Sequence, residues 1–174
     1  MNVPNLLSLS RIILVIPIFI LTVLGENFYF AALIVFIVAS LTDLFDGLIA
    51  RRTKQVTDLG KFLDQISDKI LINSIFVAML SVNLLPGWFV ALIISRDIYV
   101  SGLRMYLASR NLVIPADILG KIKTVLEIIL IILIYLQVTA FFINIFVYFT
   151  LIISLLSAVN YTLKNTSYFK GETK

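Results

Sequence analysis

Neither cysteine nor histidine occurs anywhere in the 174 residues, glycine is limited to 7 and proline to 4, and only 14% of residues are charged. The missing cysteines exclude a disulfide framework and thiolate metal sites. The missing histidines remove the commonest acid–base group near neutral pH, so any catalysis must rest on carboxylates, lysines or bound metals. A soluble domain carries about 25% charged residues, and the deficit here points to a bilayer as the solvent. Apolar residues fill the gap: 60% of the chain is hydrophobic and its mean hydropathy is +1.06. The net charge of +4 is modest, and in a membrane protein it reports topology and anionic partners, with no nucleic acid among them.

A membrane span needs about 20 mostly apolar residues. Six segments fit, at Pro4–Leu24, Phe28–Ala50, Phe62–Val82, Pro86–Leu107, Ile118–Gln137 and Phe141–Leu163. No internal repeat, low-complexity tract or long linker interrupts them, so the expected fold is all-α: a single membrane domain over residues 1–174, a polytopic bundle of six transmembrane helices. The first segment lacks a basic leader and a small-residue cleavage site, and is expected to be a retained helix. The connections Gly25–Asn27, Asn83–Leu85 and Val138–Ala140 carry a single charge, Glu26. The opposite side holds Arg51, Arg52, Lys54, Lys61, Arg110, Lys121, Lys123, Lys164, Lys170 and Lys174. The positive-inside rule then puts both termini in the cytoplasm, with Trp88 as an aromatic anchor at the outer interface.

Charges are costly in lipid, by about 2.5–3.5 kcal/mol each even on the lenient insertion scale. Yet Asp43, Asp46, Asp64 and Asp68 all fall in the cytoplasmic thirds of the second and third spans. Spacing of i,i+3 in one helix and i,i+4 in the next gives each pair a shared face. Antiparallel helices joined by the basic loop would put all four at one depth. Four like charges in one pocket repel unless a cation sits among them, and hard divalent ions with oxygen ligands meet that need. Two such ions can clamp a diphosphate. The plainer alternative is a set of interfacial ion pairs with Arg51, Arg52, Lys61 and Lys69. Gly47 sits directly after Asp46, inside a helix where glycine costs about 1 kcal/mol, which suggests a close approach to the backbone. Ala50 keeps that surface narrow.

Taken together, Asp43-Leu-Phe-Asp46-Gly47-Leu-Ile-Ala50-Arg51, eight residues, Gly60, three residues, Asp64, three residues and Asp68 resembles the signature of the CDP-alcohol phosphatidyltransferases, with all eight fixed positions matched. The resemblance extends over the chain, since that family's core is also six membrane helices. It implies that Asp43 and Asp64 bridge two divalent ions, Asp46 completes one site and Asp68 the other, and Asp68 accepts the proton of the attacking hydroxyl. Oxygen-only ligation suits magnesium, with manganese or calcium as alternatives. It further implies that Gly47 admits the cytidine nucleotide, Arg51 contacts its phosphates, and Thr57 and Gly60 line the same site. Asn5, Ser8 and Arg11, three apart on one face of the first helix, resemble its amino-terminal edge. The family also implies a homodimer and an active site facing the cytoplasm from the cell membrane.

The acceptor must be read from other charges. Arg96 and Asp97 lie about mid-membrane, and Asp97, Ser101 and Arg104 form one polar stripe. Arg104, Lys121 and Lys123 together would make a basic pocket for an anionic acceptor such as a phosphorylated polyol. Each also has a simpler reading: Lys121 and Lys123 as topological lysines, Arg96–Asp97 as an internal ion pair, Lys123–Glu127 as an i,i+4 pair. The stretches Asn2–Ser8 with Arg11, Arg96–Arg104 and Leu119–Thr124 resemble the bacterial phosphatidylglycerophosphate synthases. That implies transfer of a phosphatidyl group from CDP-diacylglycerol to sn-glycerol 3-phosphate, with release of CMP. One departure is visible: Gln65 and Ser67 stand where those synthases usually carry proline and alanine. Serine, an inositol phosphate or phosphatidylglycerol remain alternative acceptors. A small cation channel or transporter would be a different class, but the acids gather at one interface instead of tracing a path across the bilayer.

Overall fold

The computed structural model describes residues 3–53, 58–110 and 117–166, with the backbone alone at 3–7, 43–53, 58–59 and 61–65. The described residues form six α-helices and no strand: α1 (Val3–Val23), α2 (Tyr29–Thr53), α3 (Asp58–Ser81), α4 (Gly87–Ser109), α5 (Ile118–Tyr135) and α6 (Ala140–Lys164), with a 3-10 turn at Glu26–Phe28. Each expected span has its helix. Two ends differ: α2 runs on to Thr53 and α3 starts at Asp58, because the polar flanks of the basic loop continue the helices past the apolar runs. Of the described residues, Ala140–Lys164 is the one helix long and apolar enough to cross a membrane, while Ser8–Val23 and Glu26–Thr42 are shorter apolar stretches. In α5 charges thin the apolar window: it carries Lys121, Lys123 and Glu127 within its 18 residues.

The chain groups into two compact units, Met1–Pro86 with Ile134–Gln137, and Gly87–Leu133 with Val138–Lys174. In the first, α1 packs along both α2 and α3. Its buried residues Ser8, Arg11, Ile18 and Thr22 recur at helical spacing, while Ile13, Ile16 and Ile20 stay exposed on other faces. Ala32, Phe36 and Ala39 of α2, and Leu71, Ile75 and Ala78 of α3, complete the core. The alanines allow close helix approach, the usual device where lipid supplies no hydrophobic drive for association. Pro17 lies within α1 and removes one backbone donor, a loss that neighbouring helices make tolerable.

Helix ends explain the uncharged turns. Gly25 takes φ 100 after α1, a left-handed conformation that favours glycine. After α3, Asn83 (φ 60) donates to the Leu80 carbonyl and Leu84 to the Met79 carbonyl. Gln137 (φ 53) and Val138 repeat that pattern on Ile134 and Leu133 after α5. Both are Schellman caps, which satisfy terminal carbonyls without a charged side chain. In the second unit α4 packs along α6 around Val100, Ala158, Tyr161 and Leu103. Trp88 stacks on Tyr148 with ring centroids 5.6 Å apart, in keeping with an aromatic anchor at one end of the unit.

Candidate active site

The four acids of the signature lie on the helical backbone of two successive helices. Asp43, Asp46, Gly47 and Arg51 are on the last turns of α2; Gly60, Asp64 and Asp68 are on the first turns of α3. Helical spacing therefore holds for both pairs. Thr57 lies outside the described residues, and so do the side chains of Asn5, Asp43, Asp46, Arg51 and Asp64. Asp68 is the member of the quartet whose side chain is described, and it is 43% exposed. Among the described residues no group of three acidic, histidine or cysteine side chains could hold a metal ion. The donor set of the full signature is carboxylate oxygen alone, which fits hard divalent ions and no softer metal.

Arg11 meets Asp68 from α1. Its side chain is 0% exposed, and its Nη1 donates to Ser67 Oγ at 3.0 Å and to Asp68 Oδ1. A guanidinium tolerates burial because its charge is delocalised and its donors are held in a plane, and a carboxylate is its best partner. Ser8, one turn earlier on the same face, is also buried. Ser8 and Arg11 thus share a buried face of α1, and Arg11 is directed at α3. The spacing of Asn5, Ser8 and Arg11 marks that face; the target of Arg11 is visible only in the packing.

The second unit holds a buried charge network. Lys123 Nζ lies 2.7 and 2.9 Å from the Asp97 carboxylate oxygens and 2.7 Å from Glu127 Oε1. Arg96 donates to Asp97 Oδ1 at 3.0 Å, to Ser157 Oγ at 2.7 Å and to the Ser154 carbonyl at 3.2 Å. Two cations and two anions balance, so the cluster can be buried as a neutral assembly. Both internal pairs expected from spacing are present, merged into one network. Ser154 and Ser157 of α6 were not legible as partners, since no spacing within α4 points to them.

The three cations expected at the acceptor site have different surroundings. Lys121 and Lys123, two residues apart, fall on different sides of α5: Lys121 is exposed and Lys123 buried. The three donors of Lys123 already face carboxylates, so a direct phosphate contact would have to displace one of them. Arg104 lies over the Tyr161 ring, 5.5 Å from its centroid, with Arg104 Nε and the Tyr161 hydroxyl both buried and without a hydrogen-bond partner. Unmet donors in such surroundings are costly.

Asp117, just ahead of α5, was not singled out by the sequence. Its carbonyl accepts from Gly120 and Lys121, and its carboxylate accepts from Lys164 Nζ at 2.8 Å and from Asn160. The Lys164 hydrogen bond, first among several contacts, holds the Asp117 carboxyl below its ordinary value. A carboxylate lowered in the folded state stabilises the fold above its ordinary pKa near 4 and loses that contribution as pH falls through the lower, folded value. Thermal unfolding in detergent is therefore expected to separate wild type from Asp117→Asn at pH 7 and to bring them together in acid only as pH falls through the lowered, folded value. A gap that widens in acid would contradict this linkage.

The helical signature and its surroundings can now be set beside known proteins. The CDP-alcohol phosphatidyltransferase family matches residues 1–157, and this chain belongs to that family. Among curated relatives, it is 42% identical to the CDP-diacylglycerol–glycerol-3-phosphate 3-phosphatidyltransferase of Bacillus subtilis, over 74% of this chain and 73% of the relative. It is 39% identical to the protein of that name from Escherichia coli, over 71% of this chain and 70% of the relative. A probable phosphatidylglycerophosphate synthase of Mycobacterium tuberculosis is 39% identical, over 72% of this chain and 62% of the relative.

Proposed function

We propose that this chain is a membrane enzyme that transfers a phosphatidyl group from CDP-diacylglycerol to sn-glycerol 3-phosphate, giving phosphatidylglycerophosphate and CMP. The observation that carries the reading is Asp68: a half-exposed carboxylate on the third turn of α3, held by a fully buried arginine, at the last position of the family signature. The names of the relatives supply the two substrates.

On this reading Asp43, Asp46, Asp64 and Asp68 hold two divalent ions, magnesium by donor chemistry. When bound, these ions supply charge neutralisation for the diphosphate and the departing phosphate. Asp68 receives the proton of the acceptor hydroxyl. Gly47 and Gly60 let the nucleotide approach, Arg51 and Thr57 bind it, and Asn5 and Ser8 border it. Arg104 leads recognition of the acceptor phosphate, with Lys121 adding a mobile positive charge and Lys123 supporting the same unit through its carboxylate network. The six helices cross the cell membrane as one domain over residues 1–174, with both termini and the acidic site on the cytoplasmic side. Support comes from the capped, nearly uncharged turns after α1, α3 and α5 and the cationic connections opposite them. The family likeness carries over a homodimer.

An acceptor panel tests the assignment. Purified full-length protein in detergent, given CDP-diacylglycerol, should release CMP with glycerol 3-phosphate at least about 100-fold faster than with serine, an inositol phosphate or phosphatidylglycerol. A site that binds a phosphate through buried donors discriminates strongly against serine, which brings no phosphate and leaves those donors unmet. Equal rates with serine would overturn glycerol 3-phosphate as the acceptor.

A further inference from the structure

We propose that Arg11 and Ser67 form a positioning pair for Asp68, fixing which carboxylate oxygen is presented to the reaction. The inference rests on the reading of Asp68 as metal ligand and proton acceptor. Arg11 Nη1 carries two hydrogens, and the structure aims it at two acceptors on adjacent residues of α3: Ser67 Oγ and Asp68 Oδ1. Arg11 and Ser67 are both 0% exposed, whereas the Asp68 side chain is 43% exposed. A buried donor, also held by Ser67, therefore grips one oxygen of a partly exposed carboxylate.

Rotation about the Asp68 Cβ–Cγ bond is soft in an ungripped aspartate. With Oδ1 directed at Arg11, that torsion is set, and so is the direction of Oδ2. Ser67 matters because it also holds the guanidinium: without its oxygen, Nη1 has one acceptor fewer. Supporting hydrogen bonds of this kind orient ligating side chains, and removing them typically costs about 10–100-fold in metal affinity or activity. Arg11 comes from α1, the helix that packs along both α2 and α3, so the grip also refers Asp68 to the helix that braces the other acidic pair.

Manganese alone, titrated into the full-length protein in detergent and followed by electron paramagnetic resonance, provides a readout independent of turnover. Positioning predicts that Arg11→Gln weakens manganese binding about tenfold or more and lowers kcat about 10–100-fold, with smaller changes in either KM. If Arg11 served only as a nearby positive charge, its removal would tighten binding of a cation; if it served only to hold α1 against α3, folded Arg11→Gln would bind manganese as wild type does. Either result overturns the proposal. Ser67→Ala should shift both quantities in the same direction by a few-fold, and should add nothing in an Arg11→Gln background, since the two act as one unit. Additive effects would overturn the pairing. Should Arg11→Gln not fold, Ser67→Ala alone decides, and wild-type manganese binding and kcat in that variant would sink the proposal. Asp68→Asn serves as the separating control. If it is impaired while Arg11→Gln and Ser67→Ala behave as wild type, only the positioning fails; if it is unimpaired, the role of Asp68 fails.

Discussion

Asp68→Asn is expected to lower CMP release by about 10²–10⁴-fold, the range associated with loss of a positioned acid–base group. The substitution is nearly isosteric. An asparagine oxygen can still accept from Arg11, so the contact between α1 and α3 survives in outline while the charge and the proton-accepting capacity go. The loss should therefore appear in kcat, with protein that inserts, purifies and melts within a few degrees of wild type. The buried Arg11 would lose its anionic partner, which is a real cost, but the partner is 43% exposed and water can contribute screening. Turnover at the wild-type rate in a folded Asp68→Asn protein would remove the central residue from the mechanism.

The second large effect concerns stability. Lys123→Met should destabilise the protein by about 3–5 kcal/mol, the usual consequence of removing one partner from a buried ionic assembly. Lys123 Nζ serves Asp97 and Glu127 together, both of them almost fully buried, and its loss leaves two buried carboxylates without their shared ammonium. Adding Glu127→Gln removes the surplus negative charge, and the double variant is expected to recover most of the lost stability. Unfolding followed by temperature or denaturant in detergent would measure both. A Lys123→Met protein as stable as wild type, altered only in its requirement for glycerol 3-phosphate, would return Lys123 to direct contact with the acceptor.

These two expectations differ in how they could have been reached. Asp68 stands out along the chain, because an acid four residues after another in an apolar segment has few innocent explanations. Lys123 does not. A lysine near a cytoplasmic helix start satisfies topology, acceptor binding and an i,i+4 pair with Glu127 equally well. Packing selects among these by turning Lys123 inward, where Asp97 of α4 awaits it, and leaving Lys121 outside. Arg104 shows the same division: its place on the Asp97–Ser101 stripe is a matter of period, but its position over the Tyr161 ring depends on α6.

The sequence by itself determined the number and rough extent of the helices, the uncharged turns against the basic ones, and the acidic signature that marks the family. All of these follow from order along the chain: apolar run length measures a span, and residues three or four apart share a helix face whatever surrounds them. Only the tertiary structure decided that Arg11 grips Ser67 and Asp68, that Arg96 reaches Ser157, and that Lys164 ties down Asp117. Partners on different helices are chosen by how apolar faces interlock and by the cost of leaving any buried charge unmatched, and neither quantity is written in local spacing.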